Sequence, residues 1–180
     1  TFINGEQGIL RYRGYSIEDL ATKSNFLEVC YLLLEGRLPS ATEFAEYERS
    51  VTRHTLLHED LVRMFDAFPA NAHPMAVCSS MVCALSTYYQ GNLDPLNPED
   101  VASSALRLVA KLPTIAAFSF KKSRGQAIIY PDNSLRYTAN FMRMMFSFPT
   151  EDWIHDEDIC DALDALLILH ADHEQNCSTS

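Results

Sequence analysis

Basic residues are scarce in this chain. Fourteen Lys and Arg stand against 24 Asp and Glu in 180 residues, a net charge of −10. Nucleic-acid binding needs a basic stripe to neutralise phosphates, so that class of partner is excluded, and an anionic membrane surface is disfavoured. Continuous apolar runs are short, and none reaches the roughly 18 residues of a membrane span; no signal peptide is visible. No GxGxxG or HExxH occurs, which removes a Rossmann-type nicotinamide site and the commonest zinc-protease helix. The five cysteines, Cys30, Cys78, Cys83, Cys160 and Cys177, include no CxxC pair and sit mostly in apolar helical patterns. They read as small buried thiols of a protein from a reducing cytoplasm. Repeats, low-complexity tracts and linkers are missing too, so at this length one domain is the default.

What is present is mainly helical. A short β run at Thr1–Ile3, a turn signal at Asn4-Gly5 and a second run at Ile9–Arg13 make an N-terminal hairpin over residues 1–14. Residues 15–180 are helical in character. Ser16 with Asp19 opens a first helix. Ser24 precedes a second, with apolar positions at Leu27, Cys30, Tyr31 and Leu34 and a stop at Gly36 and Pro39. Ser40 and Glu43 form a capping-box pattern ahead of Phe44, Tyr47 and Val51. A short amphipathic piece spans Leu61–Phe68. Pro74 and Pro98 sit at first helical positions, opening helices to about Tyr89 and to Lys111, where Pro113 is expected to break the second. Further helices are expected over Thr114–Lys122, Ser134–Phe146 and Asp156 to about His173, with a loop at Arg124–Asn133.

Chemistry concentrates at the end of the last helix, in Leu166-Leu167-Ile168-Leu169-His170-Ala171-Asp172-His173-Glu174-Gln175-Asn176. Ile159, Leu163, Leu166, His170 and His173 follow one another at helical spacing, so a helix continuing through the motif would place both histidines on its buried stripe. Buried imidazoles need partners. They can be core histidines satisfied by protein groups, or they can hold a ligand. A metal is not expected, because no third ligand follows at a recognisable spacing.

The segment HADHEQNCSTS, His170 to Ser180, resembles the oxaloacetate-site helix end of bacterial citrate synthases. Other segments resemble the same family in the same order: FINGEQGILRYRG from Phe2, FLEVCYLLL from Phe26, VTRHT from Val51, HPMAV from His73, LPTIAA from Leu112 and IYPDNSLRYTANFMRMMF from Ile129. The match covers essentially the whole chain, and its form is that of the large, NADH-regulated hexameric bacterial class. The resemblance implies a mainly α, multi-helical portion of the family's large domain, with the small domain and C-terminal half absent. It implies the condensation of acetyl-CoA with oxaloacetate and water to give citrate and CoA, the entry to the tricarboxylic acid cycle. 2-Methylcitrate synthesis from propionyl-CoA is the nearest alternative, and a non-catalytic helical module binding a nucleotide or partner is a more distant one. No prosthetic cofactor is implied, and a homo-oligomer, dimer or hexamer, is expected of the full-length enzyme.

By the same resemblance, His173 and Asn176 match oxaloacetate-binding positions. Ser178 matches a serine supporting the family's catalytic histidine, and His170 is either structural support or a ligand contact. The catalytic histidine in its Gly-Pro-Ala-His-Gly-Gly block, the catalytic aspartate and the carboxylate-binding arginines have no counterpart here, so the chain alone is expected to be inactive. Arg53, His54, Thr55, Tyr89, Arg107, Lys111 and Asn133 match the allosteric NADH pocket of NADH-inhibited members. Surface charges on solvated helices are the competing reading of those cations. Thr150 stands where that pattern has a reactive cysteine and Asp161 where it has an arginine, a change expected to weaken NADH binding.

Overall fold

The computed structural model describes residues 1–151 and 153–172. The expected hairpin is there, β1 (Phe2–Asn4) pairing antiparallel with β2 (Ile9–Tyr12), and β3 (Tyr15–Ser16) extends it to a three-stranded sheet in the order β1-β2-β3. Arg13 and Gly14 both take positive φ, 50° and 95°, between the paired residues Tyr12 and Tyr15. Two successive left-handed residues make the tight turn whose twist suits a two-residue hairpin. The chain therefore makes a third strand after Gly14, where helix was expected.

Eight α-helices follow among the described residues: α1 (Ile17–Lys23), α2 (Phe26–Glu35), α3 (Ala41–Arg53), α4 (Glu59–Met64), α5 (Pro74–Leu85), α6 (Pro98–Ser123), α7 (Tyr137–Phe146) and α8 (Glu157–Leu169). Their starts are local. Ser16 accepts from the Asp19 N–H, and Ser40 and Glu43 bond reciprocally, side chain to backbone, at 3.3 and 2.8 Å. His73 and Asn97 cap α5 and α6 ahead of their prolines. Asn25 caps α2, and Gly36 ends it with φ 80°. Leu34, expected on the buried side of that helix, is half exposed, while Val29 and Leu32 are buried in its place.

Among the described residues the helices gather into two compact units, one formed by residues 1–48 and 156–172 and the other by residues 49–151 and 153–155. The first is discontinuous in sequence, which is why no linker marks it. Its core is Tyr12, Ile17, Leu20, Val29, Leu32 and Ile168. The core of the second includes Phe65, Met81, Ile115, Phe118 and Met144, with Phe65 and Phe118 edge to face at 5.8 Å. Apolar burial of this kind dominates the stability of both.

Within the second unit α6 runs unbroken through Pro113, contrary to the expected break. Proline has no N–H, so the Val109 carbonyl one turn earlier loses its helical donor. The Tyr137 hydroxyl, from the first residue of α7, donates to that carbonyl at 2.8 Å. The partner lies 24 residues beyond the proline, outside any helical window. Tyr137→Phe is expected to lower stability by about 1–3 kcal/mol, the cost of an orphaned carbonyl. An unchanged urea midpoint would refute that account of the helix.

By length and composition α6 could cross a membrane, a test that core helices also pass. It packs between α5 and α7 and carries two buried lysines, Lys111 and Lys121. Lys121 donates to the Ser147 carbonyl at 2.7 Å and lies 4.7 Å from the Phe148 ring centre; burial pushes its pKa below the ordinary lysine value. These are marks of a packed helix rather than a lipid-facing one.

Candidate functional site

The segment singled out by sequence, from Leu166 on, begins in the last turn of α8. Asp156 caps that helix by accepting from the Ile159 N–H at 3.2 Å. The buried stripe runs through Cys160, Asp164 and Ile168. Ile159 and Leu166 are half exposed, and His170 is exposed, so the expected phase of the helix is corrected. Packing against α1 and α2 selects the other face. It does so partly because Asp164, a charged residue buried in the stripe, accepts at 2.9 Å from the N–H of Phe26, the first residue of α2. A carboxylate at a helix N-terminus meets free N–H groups and the positive end of the dipole.

The helix also stops earlier than expected, at Leu169, with His170 as its C-cap. The His170 Nδ1 lies 2.7 Å from the Leu166 carbonyl, one turn back. Nδ1 carries the proton in that arrangement, because a carbonyl oxygen can only accept. His170 is thus a capping residue and not a member of a buried stripe. Beyond it the chain is held by Tyr12. This fully buried phenol donates to the Ile168 carbonyl at 3.0 Å and accepts from the Asp172 N–H at 3.3 Å. His173, Asn176 and Ser178 lie outside the described residues.

The second constellation belongs wholly to the other unit, and α6 organises it. Lys111 is buried, and its ammonium donates to the carbonyls of His54, at 2.8 Å, and Leu56. Thr114, one turn on, donates to the carbonyl between them, that of Thr55, at 2.9 Å. Three consecutive carbonyls of the α3–α4 connection are therefore satisfied by side chains of one helix. The Thr55 hydroxyl lies 2.8 Å from the Asn133 amide and 3.1 Å from the Thr52 carbonyl. Its single proton serves one of them, and a flipped Asn133 amide would donate to it in return. The His54 ring is turned back to the Ser50 carbonyl at 2.7 Å.

Arg107 lies one helical turn before Lys111, with its guanidinium carbon 4.4 Å from the centre of the Tyr89 ring. Among the described residues its Nη1 is buried with no hydrogen-bond partner, and the aromatic face is its near neighbour. Burial, and then the Arg107 charge, push the Lys111 pKa below the ordinary value. Beside Arg107 and Tyr89 opens a cavity of about 230 Å3, walled by Val82, Leu85, Leu93 and Leu108. The structure thus brings together His54, Thr55, Lys111 and Asn133 as one group and Tyr89 with Arg107 as another. Arg53, the last residue of α3, is exposed, as are Thr150 in the second unit and Asp161 on α8 in the first. Among the described residues no three His, Cys, Asp or Glu side chains converge as metal ligands would.

Sequence reasoning missed three residues that shape these places: Tyr12, Thr114 and Asp164. The first two serve carbonyl groups remote in sequence, which no side-chain pattern reveals. Asp164 did carry a signal, as an acid breaking an apolar helix face.

Known proteins match the chain throughout. Residues 1–180 fit the family model described as citrate synthase, C-terminal domain. Citrate synthase 1 of Mycobacterium tuberculosis is 59% identical over all 180 residues, and the citrate synthase of Corynebacterium glutamicum 51%. The chain spans 42% and 41% of the length of those relatives. Among solved structures, the citrate synthase of Pyrobaculum aerophilum shares 37% identity at a TM-score of 0.82, over 93% of this chain and 42% of its own. The Thermoplasma acidophilum enzyme, solved as a ternary complex with carboxymethyl coenzyme A and oxaloacetate, gives 0.85 at 26% identity, over 99% of this chain and 45% of its own. Identity at this level over every residue, together with the shared fold, places the chain in the citrate synthase family.

Proposed function

We propose that these residues form part of an enzyme that condenses acetyl-CoA with oxaloacetate and water, giving citrate and CoA. The observation that carries this reading is the 59% identity to a citrate synthase over all 180 residues, a span that includes the HADHEQN segment. Oxaloacetate brings two carboxylates and a ketone. An imidazole N–H from His173 and the amide of Asn176 are suited to bond such oxygens, and Ser178 to orient a neighbouring group. His170 supports the segment, given its bond to the Leu166 carbonyl. Proton abstraction from the acetyl methyl group and stabilisation of the enol need a carboxylate base and a hydrogen-bond donor from outside these 180 residues. A homo-oligomer working in the cytoplasm is part of the same proposal.

NADH regulation through the α6 cluster is a weaker reading. Lys111 already serves two carbonyls, and the cavity beside Arg107 is smaller than the roughly 300–1,000 Å3 of ordinary ligand sites. Arg53 and Arg107 supply charge for a phosphate, so we propose weak binding of NADH at most.

The deciding experiment is release of free CoA from acetyl-CoA and oxaloacetate. A chain extended to the length of the relatives is expected to turn over, and the 180 residues alone to give no activity above buffer. Preference of the extended enzyme for propionyl-CoA would replace citrate with 2-methylcitrate as the product. Turnover by the short chain, scaling with protein, would overturn the assignment of the proton transfers to other residues.

A further inference from the structure

We draw no further inference here: the strongest candidate, the cavity beside Tyr89 and Arg107 in the second unit, is walled by Val82, Leu85, Leu93 and Leu108 with the Arg107 Nη1 itself buried, and nothing in the structure shows what covers or fills it.

Discussion

In a chain of the relatives' full length, His173→Ala is expected to lower kcat/KM for oxaloacetate by roughly one to two decades, with little change in KM for acetyl-CoA. The size follows from the bond lost. A hydrogen bond between an imidazole and a substrate carboxylate or ketone is charge-assisted when either partner is ionised, and is worth roughly 1.5–3 kcal/mol. Selectivity for one substrate is the sharper part of the expectation, because a general loss of folding would depress both. Steady-state kinetics with each substrate varied in turn, on a variant whose circular dichroism matches wild type, gives the answer. Equal kinetics would return His173 to the role of an ordinary core histidine.

Helix starts were legible in this sequence because the groups that make them are neighbours. Ser16 with Asp19, Ser40 with Glu43, Asn97 with Pro98 and Asp156 with Ile159 all lie within four residues of one another, and each works as the local pattern implies. Helix ends and helix faces were not legible to the same degree, because distant groups decide them. Pro113 fails to break α6 since Tyr137 repairs the ladder, and at the end of α8 the Ile168 carbonyl accepts both from the Ala171 N–H, three residues on, and from the remote Tyr12 hydroxyl. The face of α8 turned inward is the one with Asp164, which periodicity of apolar residues alone could not choose. A charge can outrank leucines as a buried residue when a helix N-terminus awaits it. The third strand escaped notice for a simpler reason: Arg13 and Gly14 are a two-residue turn whose first member is not a usual left-handed residue. As for the candidate site, several of the residues found by resemblance cluster along α6. Carbonyl oxygens carry no sequence signature, so the acceptors of Lys111 were not legible before the structure.

Those acceptors make Lys111 the most informative single position for stability. Lys111→Met keeps the length and apolar stem of the side chain but removes the donors to the His54 and Leu56 carbonyls. Each partly buried carbonyl left without a donor costs about 1–3 kcal/mol, so the variant should be destabilised by at least that much. Relief of lysine desolvation offsets part of this loss. The offset has a pH dependence of known sign. The folded-state pKa of Lys111 is held below the ordinary value of 10.5, first by burial and then by the Arg107 charge. Between those two values the unfolded chain binds more protons than the folded one, so the contribution of this group to stability rises with pH. A neutral amine retains two N–H bonds, enough for both carbonyls. The gap in stability between wild type and Lys111→Met should therefore widen as pH is raised from neutrality toward 10.5, as read from urea unfolding at several pH values. Were Lys111 instead held for a nucleotide phosphate, removing it would leave the unliganded protein as stable or more so, and NADH titration would show tight binding by wild type that the variant loses. The bonds to His54 and Leu56 favour the first outcome, because an ammonium that holds the α3–α4 connection against α6 cannot leave it for a phosphate without orphaning two carbonyls.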